Sequence, residues 1–75
     1  MNYRQRLRDL REDHNKTQKE IGDLLHKSQQ GYSHIEEGRA ELKIDVLILL
    51  CHYYHVTADY IIGLSDIPNN ALLNK

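Results

Sequence analysis

The junction between two short amphipathic segments constrains this chain's fold most strongly. Residues 17–20 (TQKE) have the pattern of a capping box, in which a hydroxyl and a carboxylate each bind a free backbone N–H at a helix start. The apolar residues of that helix end at Leu25, and Ser28 is already a favourable N-cap for another helix. Helices joined by so short a turn cannot lie antiparallel, so we expect them to cross at a steep angle.

Gly22 lies inside the first of these two helices. A helical glycine costs about 1 kcal/mol relative to alanine unless close packing requires it. We therefore expect a helix-turn-helix whose two helices touch at Gly22. An ordinary helical bundle with an incidental glycine remains the alternative from the pattern alone.

Apolar spacings of three and four residues predict three further helices around this pair. Of these three, the first helix of the chain ends near Asn15, the fourth covers roughly 44–54, and Thr57 caps the fifth. The third helix, which belongs to the pair, runs from Ser28 to about Glu37. The pattern predicts a compact all-α domain of five helices over residues 1–66, with residues 67–75 as a C-terminal tail. The expected inward residues are Tyr3, Leu7, Leu10, Ile21, Leu24, Leu25, Tyr32, Ile35, Ile44, Leu47, Ile48, Cys51, Tyr54, Tyr60, Ile61 and Leu64.

The length and net charge of the chain limit the functions that it can have. A chain of 75 residues fits one domain, and a domain of this size buries only about 60% of its unfolded surface. That leaves little apolar material for a cofactor cavity, so we expect no enzyme and no cofactor. Ten basic and eleven acidic side chains give a net charge of -1, which excludes nucleic-acid coating by bulk charge.

Cys51 is the sole cysteine, so an intramolecular disulfide is excluded. The neighbouring His52 invites a metal interpretation, but adjacent helical side chains point about 100° apart and no distant cysteine pair completes a site. We expect Cys51 to be a core thiol, with no metal site and no catalytic residue. The longest apolar run, 46–51, is far below the roughly 18 residues of a membrane span, so a cytoplasmic protein is expected.

Four segments in this order resemble the Cro/repressor (XRE) family of transcriptional regulators. They are LRDLRE (7–12), TQKEIGDLL (17–25), SQQGYSHIEEG (28–38) and VTADYIIG (56–63). The resemblance covers about residues 3–66. It implies a lambda-repressor-like fold and a sequence-specific regulator of double-stranded DNA, most often a repressor.

Several positions depart from the family pattern. Asn15, His26 and His55 stand where the family usually has glycine, and Asn and His are enriched among non-glycine residues in left-handed conformations. We therefore expect the turns to survive. Lys16 and Lys27 replace apolar residues, and we expect Lys27 to direct its ammonium toward a phosphate.

The resemblance implies that the third helix enters the major groove, N-terminal residues first. Gln29 and Gln30 lie in its first turn, and a Gln amide pairs with adenine N6 and N7. Ser33 and His34, one turn later, are candidates for base edges or phosphates. A solvated helix face, with exposed charges that bind nothing, is the alternative. The expected DNA contacts are Thr17, Gln18, Lys27, Ser28, Gln29, Gln30, Ser33, His34, Arg39 and Lys43.

Charge is distributed unevenly along the chain. Residues 1–43 hold nine of the ten basic side chains and eight acids, net +1, whereas residues 44–75 are net -2. Some acids are expected to pair internally, because Arg11 and Glu36 resemble the positions of a family ion pair between the first and third helices.

Val46, Leu49 and Tyr53 are spaced three and four residues apart and predict a second apolar stripe on the fourth helix. Together with Leu72 and Leu73 they form the expected homodimer surface. A dimer places two recognition helices about 34 Å apart and predicts an inverted-repeat operator. The alternatives are a tail that folds back over the stripe, and a protein-interaction module, such as an antitoxin-like partner binder, on the same fold.

Overall fold

Five α-helices make up the computed structural model, which describes residues 2–68. They are α1 (Tyr3–Asp13), α2 (Gln18–Leu24), α3 (Gln29–Glu37), α4 (Ile44–Tyr54) and α5 (Ala58–Ile62). No strand occurs within the described range, so the predicted all-α class is confirmed. In this part of the chain no helix is long and apolar enough to cross a membrane.

The predicted N-caps form. The Thr17 hydroxyl accepts from the Glu20 N–H at 3.1 Å, and the Glu20 carboxylate accepts from the Thr17 N–H at 2.9 Å. The Ser28 and Thr57 hydroxyls accept from the third residue of α3 and α5, at 2.9 and 3.1 Å. Each cap satisfies a donor that the helix itself leaves free, which is why short polar residues set these boundaries.

Left-handed residues end the helices and turns. Gly38 and Gly63 have φ of 80° and 89°. Asn15, His26 and His55 have φ of 56°, 58° and 57°, so the expectation that they adopt the conformation usually supplied by glycine is confirmed.

The close approach at Gly22 is also confirmed. A Cβ added there would lie 2.9 Å from the Ser28 carbonyl oxygen and 3.0 Å from that of Lys27. The Lys27 N–H donates to the Gly22 carbonyl at 2.7 Å. Because both neighbours are backbone atoms, only glycine lets α2 pack so tightly against the turn that leads into α3.

A buried ion pair joins α1 to α3 as the resemblance implied. Arg11 Nε donates to Glu36 Oε2 at 2.7 Å, and Arg11 Nη2 donates to Oε1 at 3.3 Å. The Glu36 side chain is 0% exposed. Arg11 Nη1 also donates to the Lys16 carbonyl at 2.9 Å, which ties the α1–α2 turn to the same guanidinium. Burial raises the pKa of the Tyr32 hydroxyl, and the nearby negative charge of Glu36 raises it further.

The core differs from prediction most in α4. Ile44 and Ile48 were expected inside but are 71% and 51% exposed, whereas Val46 and Leu50 are buried. Nearly every α4 residue is apolar, so two stripes satisfied helical spacing equally well, and packing against the other helices selected one. The buried apolar side chains are Leu7, Leu10, Ile21, Leu25, Tyr32, Ile35, Val46, Leu47, Leu50, Tyr54 and Ile61.

The predicted partner stripe on α4 is therefore wrong in part. Val46 is a core residue, Tyr53 is half-buried against the core, and only Leu49 is clearly exposed. Leu72 and Leu73 lie outside the described residues.

Two other inward assignments were also wrong. Leu24 and Leu64 are exposed, the latter because it follows the end of α5 at Gly63.

An arginine that the sequence did not single out is buried between α1 and α5. The Arg6 guanidinium lies 3.9 Å from the centroid of the Tyr60 ring and binds Asp66 at 3.2 Å. Its position three residues after Tyr3 and four before Leu10 was the available signal, since all three share one helix face. Arg6 thus fixes the segment after α5 against α1.

Candidate nucleic-acid interface

The first turn of α3 presents two amides to solvent. Gln29 and Gln30 are the first two residues of the helix, and both are exposed. The turn that carries them is held by the Gly22 contact on one side and by the Ser28 cap on the other. A glutamine amide at this position can donate one hydrogen bond and accept another in the same plane, which is what reading a base edge requires.

The cap and turn residues are partly committed to the fold. Ser28 and Thr17 accept hydrogen bonds from backbone N–H groups, but each hydroxyl keeps its own hydrogen for a further acceptor. Gln18 Nε2 donates to the buried Glu36 at 3.4 Å, so this amide is directed inward. Lys27 is half-buried in the turn.

The second turn of α3 and the following loop share an acid that sequence reasoning missed. Ser33 Oγ donates to Glu37 Oε2 at 2.9 Å, while Arg39 Nε lies 3.3 Å from Glu37 Oε1. The spacing of Ser33 and Glu37, four residues apart on one helix, was the signal that could have found the contact. His34 is half-buried, and Lys43 is exposed immediately before α4.

An apolar groove lies between α4 and the start of α5. Its volume is about 430 Å³, and its wall includes the exposed Ile44 and Ile48. Cys51 lines this groove, so the expectation of a core thiol holds only in part; burial raises the pKa of the thiol. The described residues contain no group of three His, Cys, Asp or Glu side chains that could hold a metal ion. The remaining lining residues are Leu47, His52, Val56, Thr57 and Ala58.

Two short helices joined by a tight turn, with polar side chains at the start of the second, define a helix-turn-helix protein. A family model described as helix-turn-helix matches residues 7–61. The uncharacterized HTH-type transcriptional regulator YobD of Bacillus subtilis (strain 168) is 34% identical over 73 residues. The match covers 97% of this chain and 65% of the relative, so the chain spans less than two thirds of that relative's length. No solved structure matches.

The chain therefore belongs to the Cro/repressor-type (XRE) helix-turn-helix family of transcriptional regulators.

Proposed function

We propose that this protein is a sequence-specific repressor that reads double-stranded DNA with α3 in the major groove. The observation that carries the proposal is the exposed pair Gln29 and Gln30 on the first turn of a helix fixed from both ends. The Gly22 contact sets where α3 begins, and the buried Glu36 sets how it is rotated against α1. A reader of base edges needs such rigid placement, because hydrogen bonds to bases tolerate little error.

Phosphate contacts position the domain along the duplex. We propose that Thr17, the backbone N–H of Gln18 at the start of α2, and Lys27 hold the DNA backbone on one side of α3. Arg39 and Lys43 hold it on the other side. With a net charge of -1 the domain binds DNA only weakly by charge alone, since non-specific affinity comes from phosphate neutralisation. Ser28, Ser33 and His34 complete the proposed contact surface.

The test of sequence-specific reading is a selection from random duplexes, repeated at two salt concentrations. The proposal predicts enrichment of one sequence class at both. It also predicts a preference for adenine at the positions that face Gln29 and Gln30. Binding without enrichment, weakening uniformly with salt, would contradict sequence reading.

We further propose that two copies bind an inverted repeat in the cytoplasm. The exposed face of α4, now defined by Ile44, Ile48 and Leu49, supports this as an apolar surface on a small domain. Sedimentation of the wild type and of Ile48→Glu tests it. The proposal predicts a dimer at micromolar concentration that the substitution dissociates, whereas a monomer at every concentration contradicts it.

A second candidate function is favoured by the same apolar surface. The groove lined by Ile44, Ile48 and Cys51 is open to a different protein, as in an antitoxin-like partner binder. The two functions separate by substitution. Replacing Gln29 and Gln30 with alanine abolishes DNA preference under the first proposal and leaves partner affinity unchanged under the second.

A further inference from the structure

Glu37 occupies an unexpected position for an acid in a protein proposed to bind DNA. It is the last residue of α3, and its carboxylate is shared between two side chains of the proposed contact surface. One oxygen accepts from the Ser33 hydroxyl at 2.9 Å, and the other faces Arg39 Nε at 3.3 Å. A single carboxylate therefore holds a candidate base contact and a candidate phosphate contact together.

Helix stability does not account for this carboxylate. The C-terminal end of a helix carries partial negative charge, which disfavours an acid there. The ion pair is also exposed, with 41% of the Glu37 side chain and 71% of the Arg39 side chain accessible, and such pairs contribute little to folding.

The consequence appears when DNA approaches. While Arg39 Nε stays beside Glu37, the carboxylate compensates the charge of the guanidinium. Arg39 therefore neutralises a phosphate fully only by leaving Glu37, and the freed carboxylate then faces the negative backbone. If the Ser33 hydroxyl releases Glu37 at the same time, that carboxylate is left without either partner. At a cognate site Ser33 gains a base-edge acceptor in exchange, whereas at other sequences it gains none.

We propose that Glu37 couples base contact by Ser33 to phosphate contact by Arg39. On non-cognate DNA the Ser33–Glu37–Arg39 contacts stay closed and the Arg39 charge stays compensated by Glu37. On the cognate site both contacts open together. This inference rests on the proposed function, since it requires a cognate sequence.

The test compares Glu37→Gln with Glu41→Gln, which removes the same charge from an exposed acid in the loop after α3. Fluorescence anisotropy measures affinity for the selected duplex and for a random duplex over a series of salt concentrations. For the wild type, the cognate salt slope should exceed the random slope by about 0.9, the value of one phosphate contact.

Glu37→Gln should raise affinity for the random duplex by about three- to fivefold, the scale of an exposed ion pair. Affinity for the cognate duplex should rise by at least as much, because the wild type also has to break the Glu37 contacts when it binds there. The two salt slopes should then converge. Glu41→Gln should preserve the difference between them. Combining Glu37→Gln with Arg39→Gln should cancel the gain on random DNA, because the arginine is what the first substitution releases.

Equal effects of Glu37→Gln and Glu41→Gln would overturn the inference, since net charge alone would explain them. Loss of preference at one base pair in Glu37→Gln would also overturn it, because Glu37 would then read cytosine N4 directly. A wild type that selects no sequence would refute the proposed function itself, and that result is visible before any variant is measured.

Discussion

The α2–α3 pair and the α4–α5 pair differ in how they are held and in what they present. The first pair is fixed by a backbone contact at Gly22 and by the buried carboxylate of Glu36, and it presents polar side chains. The second pair encloses an apolar groove and leaves Ile44 and Ile48 exposed.

The two pairs of helices also differ in how precisely their contacts set the orientation of a helix. Apolar packing tolerates alternative arrangements of similar volume, whereas a bidentate ion pair has one favourable geometry. We infer that Arg11 and Glu36 fix the rotation of α3, which a base reader needs. The α4 surface needs less precision and suits a partner protein.

The largest expected effect comes from breaking this ion pair. Arg11→Ala leaves Glu36 buried without its main partner, so we expect a loss of about 3–5 kcal/mol in the free energy of unfolding. Thermal and chemical denaturation measure it. Arg8→Ala is the control, because Arg8 lies 3.9 Å from Glu36 and is 45% exposed, and we expect at most about 1 kcal/mol there. An unchanged melting temperature in Arg11→Ala would contradict the assignment.

A pair of glycine substitutions tests the backbone contact. Gly22→Ala places a Cβ against two carbonyl groups, so we expect about 1–3 kcal/mol of destabilisation. Gly31→Ala brings its Cβ within 3.2 Å of the Ser28 hydroxyl oxygen, which belongs to a side chain, so we expect stability within about 1 kcal/mol of wild type. Urea denaturation compares the two. If both variants lost the same stability, the contact of Gly22 with the two carbonyl groups would not be the cause of the destabilisation.

Alanine substitutions at the two threonine N-caps distinguish a role in folding from a role in DNA contact. Thr17 and Thr57 each accept one backbone hydrogen bond at 3.1 Å, so alanine at either position should cost about 1 kcal/mol. Only Thr17→Ala is expected to weaken DNA binding, and it should do so similarly for all sequences. Denaturation and anisotropy on both variants measure this. Equal loss of DNA affinity in Thr57→Ala would remove Thr17 from the contact surface.

The smallest expected effect is a pH dependence specific to the α2 cap. The Thr17 N–H holds the pKa of Glu20 below its usual value, so this stabilisation is present above the ordinary carboxyl pKa. It is lost as the pH falls through the lowered pKa. Melting curves of wild type and Glu20→Gln should therefore differ at neutral pH and converge in acid, and a constant difference would contradict the cap's role.

Local signals predicted the fold well where one residue decides a local geometry. The caps at Thr17, Ser28 and Thr57 and the left-handed turns follow from short-range hydrogen bonding and sterics. The buried face of α4 did not follow, because its apolar residues fill both sides of the helix. The contact of Glu37 with Ser33 could have been predicted from their spacing of four residues, whereas its contact with Arg39 depends on the path of the loop after α3.

The most direct test of base reading by α3 replaces Gln29 and Gln30 together with alanine. Both are exposed, so the melting temperature should stay close to that of wild type. Anisotropy at fixed salt should show that affinity for the selected duplex falls to the random-duplex level, with about 1–3 kcal/mol lost for each amide contact. Retained preference for the selected duplex in a folded double variant would contradict reading by α3.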